Sequence, residues 1–144
     1  MTFSRDAATG LEISNPEIMF DPEPFAFSQL AIFPSGARTI FIAGQGGGGS
    51  TKGDFTKQVE NALRSIGLAM TAAGGAMGGI VKLTIYVVNH DKAKHATIIE
   101  QVRAAFTPRL TPTCTIVPLR HLGTDPDMLV EIEATGVLPK ALSE

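Results

Sequence analysis

The chain has 144 residues, 44% of them hydrophobic and 18% charged, with a formal net charge of −2. That is enough chain for one domain with its own core, and the balance excludes a disordered or fibrous protein. The slight negative charge, with no Lys/Arg cluster, argues against a general nucleic-acid binder, and a single cysteine permits no internal disulfide.

Met1 to Glu23 shows no clear period and reads as an extended lead-in to a single domain over 24–144. Its scattered acids do not follow the basic-then-apolar pattern of a signal peptide, so a cytoplasmic protein is expected. Phe25–Phe33 and Thr39–Ala43 are β-rich runs separated by Pro34-Ser35-Gly36-Ala37, which predicts a hairpin. Gly44–Gly53 reads as a loop. From Asp54, apolar residues at Phe55, Val59, Ala62, Leu63, Ile66, Ala69, Met70 and Ala73 repeat at helical spacing, with Asp54 as N-cap and Gly74 as the stop. The apolar stretch Ile66–Val81 is too short for a membrane span and is broken by glycine pairs. Ile80–Val88, apolar on both faces, reads as a central strand. A second helix follows Asn89-His90-Asp91, with Ala93, Ala96, Ile99, Val102 and Phe106 as its buried stripe and Pro108 at its end.

Two strands complete the chain, Cys114–Leu119 and Met128–Leu138. In the second, alternation puts Glu131, Glu133 and Thr135 on one face and Val130, Ile132 and Ala134 on the other. The order β-β-α-β-α-β-β predicts an α+β fold, a sheet with two helices on one face. The other face must be solvated or buried by another copy, so self-association is expected.

Several motifs point to chemistry only weakly. Gly44-Gln45-Gly46-Gly47-Gly48-Gly49 formally matches a dinucleotide fingerprint, but the acid expected about 20 residues on would fall inside the helix. Gly46–Ser50 reads either as a native Gly-rich loop or as an engineered linker-like replacement. His90, His95 and His121 do not form a metal set, since His90 and His95 are five apart and no second thiolate exists. No nucleophile-elbow spacing supports a Ser/His/Asp triad. Glu131 and Glu133, two apart on one strand, are poor glycosidase partners. Cys114 is read as a buried structural residue, a pocket wall or a weak nucleophile.

Six segments, taken in order, carry a family resemblance: Arg38–Gln45, Gly53–Gln58, Ala62–Gly67, Val81–Val88, Pro112–Cys114 and Val130–Ala134. Together they resemble the YjgF/Rid family of reactive intermediate deaminases, formerly called translation inhibitors or endoribonucleases, from about Phe25 to Pro139. The resemblance implies a chorismate-mutase-like fold and a homotrimer. It also implies intersubunit clefts that hydrolyse enamines and imines without metal or cofactor.

Carried over by position, it implies Glu131 as the group that orients the attacking water, with Cys114 beside it and Gly44 retained. Other positions depart from the pattern of the active deaminases. Their arginine, two residues before the strand cysteine, is matched by Pro112, next to Thr113. A tyrosine is matched by Phe27, a serine by Ala43 and an asparagine by Ile99. Arg120 lies about 20 Å along an extended strand from Cys114, too far to substitute, and Arg109 would need a three-residue register shift.

The expectation is therefore a small-molecule ligand held in the cleft by Phe27, Ala43, Gly44, Ile99, Pro112 and Thr113, with no nucleic acid and no membrane. The ligand would be less acidic than an amino-acid-derived enamine. The rival reading is a non-catalytic small-molecule-binding or chaperone-like trimer; an endoribonuclease is disfavoured because no basic groove is present.

Overall fold

The computed structural model describes residues 1–47, 51–123 and 125–140. The strands are β1 (Thr2–Arg5), β2 (Glu12–Asn15), β3 (Leu30–Ile32), β4 (Arg38–Gly46), β5 (Ile80–Val88), β6 (Thr113–Leu119) and β7 (Val130–Leu138); the helices are α1 (Phe55–Ala72) and α2 (Lys92–Phe106). The larger sheet has the order β4-β7-β5-β6, with β5 and β6 parallel and the other pairs antiparallel. The predicted α+β architecture is present, with both helices packed on one face of this sheet.

Both helices start where a side chain supplies a missing acceptor. Asp54 caps α1 by accepting from the Lys57 backbone N–H, and Asp91 caps α2 by accepting from that of Lys94. Val59, Ala62, Leu63, Ile66 and Met70 of α1 form one buried stripe. They pack on Leu83, Ile85 and Val87 of β5 and Val130, Ile132 and Ala134 of β7. Gly74 takes the left-handed conformation (φ +88°) just past α1, at the predicted stop.

The α2 stripe differs from the expectation. Its buried residues are Ile98, Val102 and Phe106, Ile99 is half-buried, and Ala93 and Ala96 are exposed. Spacing alone admits either stripe; the larger Ile98 side chain takes the core position and turns the small alanines outward.

The predicted hairpin does not form. The turn at Pro34–Ala37 is present, with the Ala37 N–H donating to the Pro34 carbonyl, but β3 pairs with β2 in a separate three-stranded sheet, β1-β2-β3. The lead-in supplies this sheet because Leu11 and Ile13 alternate with polar residues and can bury one face against Val81 and Val137. Val137 continues the Glu131–Glu133–Thr135 side of β7, so the small sheet covers one end of the open sheet face. The rest of that face is more polar than expected, since Lys82, Thr84 and Tyr86 alternate with the buried β5 residues.

β4 also runs further than predicted, to Gly46, past an irregularity between Ile42 and Gln45. The Gly-rich segment is held at its described ends. Asn61 Nδ2 and Thr51 Oγ1 donate to the Gly47 carbonyl, and the buried Gln58 amide donates to the Thr51 and Asp127 carbonyls while accepting from the Leu129 N–H. Residues 48–50, which include most of the linker-like stretch and part of the fingerprint motif, lie outside the described residues. The dinucleotide arrangement is not formed around that motif: β4 and β5, which flank α1, are separated by β7.

Candidate functional site

Strand pairing sorts the candidate residues onto two sides of the sheet. β6 lies in parallel register with β5, Cys114 beside Leu83 and Ile116 beside Ile85, so Cys114 faces the helices. Glu131 pairs with Tyr86 and faces the open side. From strand spacing and rise, the two Cα positions are roughly 14 Å apart. Within one chain the two side chains point to opposite faces.

The helix-side group is apolar. Phe27, Ile99 and Cys114 line one cavity of about 110 Å³, together with Phe25, Ile98 and Ile116. Burial pushes the Cys114 thiol up from 9.0 to about 12, so at neutral pH it is a protonated wall group rather than a thiolate. Pro112 is buried at the start of β6, where its carbonyl accepts from the Ser28 N–H. The Thr113 hydroxyl is turned back onto the Val81 carbonyl at 2.9 Å.

The open-face group is polar. Glu131 lies against Gly44, and its carboxylate accepts no hydrogen bond from the described residues. Glu133, by contrast, accepts from the Tyr86 hydroxyl at 2.9 Å. That hydrogen bond, followed by desolvation and the charges of Glu133 and Glu131, holds the Tyr86 phenol above its ordinary range. Ala43 and Glu133 line a cavity of about 420 Å³ with Phe41, Lys82, Thr84 and Thr135.

Two features escaped the sequence. His90 and His95 are in contact, Nε2 to Nδ1 at 3.2 Å, and His95 also lines the Phe27–Ile99–Cys114 cavity. Helical spacing does not bring residues five apart together, but His90 precedes the N-cap and its loop folds back over the first turn. Tyr86 is the second feature: its role follows from β5 pairing with β7, and no local signal announces that pairing. Arg109, considered as a substitute for the missing arginine, lines neither of these two cavities; its guanidinium donates to the Ile80 carbonyl at 2.8 Å.

The sequence profile of the family described as Endoribonuclease L-PSP matches residues 23–138. The chain belongs to this family, that of the YjgF and Rid proteins. Among solved structures it is similar to YyfB of Yersinia pestis, a Rid-family protein of unknown function. That match has 32% identity, covers 89% of this chain and 98% of the other, and has a TM-score of 0.82. It is also similar to Escherichia coli TdcF with bound serine, at 28% identity over 72% of this chain and 83% of the other, with a TM-score of 0.59. A YjgF-family protein from Mycobacterium tuberculosis matches at 25% identity over 89% and 99%, with a TM-score of 0.61. No curated protein matches by sequence. Among the described residues of this Rid-family chain, no helix is long and apolar enough to cross a membrane.

Proposed function

We propose that this Rid-family protein is a homotrimer that handles a small metabolite, less acidic than an amino-acid-derived enamine, in clefts between its subunits. The observation that carries the reading is the separation of Cys114 from Glu131 on opposite faces of one sheet. A single cleft that uses both must draw them from two copies. The open face, with Phe41 83% exposed, offers apolar surface for that contact.

In this reading the reaction is cofactor-free hydrolysis of an enamine or imine. Glu131 accepts a proton from water as the oxygen adds to the imine carbon. An enamine first tautomerises to the imine; the proton then passes to nitrogen, the new hydroxyl gives its own proton to nitrogen as the C–N bond breaks, and a ketone and ammonia leave. Phe27, Ile99 and Pro112 supply an apolar wall, Ala43 and Thr113 border the cleft, and the Gly44 backbone is available to the developing charge. Pro112 at the position of the deaminase arginine disfavours 2-imino acids as substrates, because their carboxylate has no bidentate partner there. The bound serine of TdcF supports a small-molecule role for the fold but belongs to that protein. The single unpaired thiol fits a cytoplasmic location.

A second reading, a non-catalytic binding or chaperone-like trimer, is favoured by the half-buried, protonated Cys114 thiol. Ammonia release from a neutral enamine, measured with and without Glu131→Gln, separates the two. Turnover lost in the variant selects the enzyme; binding without turnover selects the binder. Light scattering at the 15.2 kDa mass of one chain overturns the trimer.

A further inference from the structure

A third aromatic ring bears on the Phe27–Ile99–Cys114 cavity without lining it. Phe25 and Phe27 both line the cavity, and the Phe20 ring meets each of them edge to face, with centroids 6.5 and 5.9 Å away. The match to the family profile begins at residue 23, so Phe20 belongs to the lead-in ahead of it. We propose that Phe20 is a positioning residue that sets the size limit of this cavity, holding the two rings so that a short alkyl group of the ligand enters and an aromatic ring does not. The inference rests on reading this cavity as part of the ligand cleft, and it adds a substrate class: a neutral compound with a short aliphatic chain.

The lead-in is pinned where it carries this ring. The Met19 N–H donates to the Pro16 carbonyl at 3.0 Å and closes a turn. Gln29 holds that turn at both ends, its Nε2 donating to the Phe20 carbonyl at 3.1 Å and its backbone N–H to Oδ1 of the buried Asn15 at 2.8 Å. Phe20 itself is 61% exposed, so it adds little to the core. What it covers is an edge or face of each neighbouring ring, and such contacts fix how those rings are turned.

The cavity decides the class of group. Its volume is about 110 Å³, below the roughly 150 Å³ of an apolar cavity that takes up benzene. Ile98, Val102 and Ile116 complete its apolar wall, and no Arg, Lys, Asp or Glu lines it. Arg103 donates to the Glu23 carbonyl at 2.8 Å, and Arg109, whose pKa burial lowers to about 10, donates to the Ile80 carbonyl; neither is part of the wall. The polar side chains of the lining are the protonated Cys114 thiol and His95, whose Nδ1 is in contact with His90. A charged group would enter without an ionic partner, at a large desolvation cost. A short alkyl group fits by size and by polarity.

NMR titration of the full chain with butanone and acetophenone, followed at the Ile99 and Ile116 methyls, tests it. Butanone should move those methyls in the wild type, and acetophenone should bind there about tenfold more weakly or not at all. Phe20→Ala should weaken butanone about fivefold, as loss of the ring contacts requires, while acetophenone holds or gains, so that their affinity ratio shifts about tenfold. Phe20→Tyr keeps the ring and should keep the wild-type ratio. Acetophenone binding as tightly as butanone in the wild type, or an unchanged ratio in Phe20→Ala (equal losses included), overturns the assignment of Phe20 and leaves Glu131-dependent turnover as the test of the cleft. No methyl shift with butanone overturns it as well, and takes the cavity out of the cleft.

Discussion

Gly44 lies directly against Glu131: a methyl group on residue 44 would overlap the Glu131 side chain from Cγ to Oε1. The glycine therefore fixes where the carboxylate can stand. Gly44→Ala should leave the fold intact, because the far end of a flexible side chain can swing aside at about 0.5–1.5 kcal/mol. The carboxylate would leave its place, however, and ligand binding or turnover should fall as far as in Glu131→Ala. Measured as a double-mutant cycle, the two changes should be strongly non-additive. Additive losses would show that Gly44 and Glu131 act separately.

Gln58 should be the costliest single polar residue to lose. Its amide makes three hydrogen bonds that tie α1 to Thr51, Asp127 and Leu129, and the residue is 2% exposed. Gln58→Leu keeps the approximate volume but strands the Asp127 carbonyl and the Leu129 N–H, while the Thr51 carbonyl keeps the Asp54 N–H, for about 2–4 kcal/mol. Urea unfolding should show that loss with an unchanged m-value. A loss within about 0.5 kcal/mol would mean that water replaces the amide.

These local features differ in how far a linear reading reaches them. Both helix starts were legible because Asp54 and Asp91 cap through contacts three residues away. The two faces of β7 were legible because strand alternation is local. The partner of β3 was not: the Pro34–Ala37 turn is real, but register depends on Leu11 and Ile13, about 20 residues upstream. The candidate residues are likewise legible one at a time. Their division between two sheet faces follows from the β5–β6 parallel pairing, a non-local fact.

Cys114 should be slow to react with thiol reagents in the native protein and fast after unfolding, since burial pushes its thiol up to about 12. The sign for stability follows. The unfolded thiol loses its proton first, so the folded state binds the extra proton, and stability present below the unfolded value is lost as pH rises from about 9 toward 12. The wild-type minus Cys114→Ala difference in unfolding free energy should therefore shrink over that window; taking the difference removes the opposite contribution of Arg109. A constant difference, or rapid native labelling at pH 8, contradicts the buried-thiol assignment.

Self-association should depend on Phe41. It is 83% exposed on the part of the open face that the small sheet leaves uncovered. Phe41→Asp should convert the protein to the mass of one chain in light scattering, with little change in monomer stability, since it loses no intrachain burial. An assembly of unchanged mass would move the interface elsewhere.

Glu131 and Glu133 share a face, but their surroundings separate their roles. The Glu133 carboxylate is committed to the Tyr86 hydroxyl, while that of Glu131 accepts no hydrogen bond from the described residues and faces Gly44. A carboxylate that must take a proton works from the uncommitted position. Glu131→Gln keeps size and removes basicity, so it should abolish turnover of a neutral enamine. Glu133→Gln should retain turnover and lower the Tyr86 pKa toward its ordinary range, because the acceptor charge is gone. The phenol titration, followed by absorbance, checks that Glu133→Gln acts where expected even if no substrate is turned over. If Glu133→Gln abolishes function and Glu131→Gln does not, the register that places Glu131 at the water is wrong. The roles given to Phe27, Ile99 and Pro112 then fall with it.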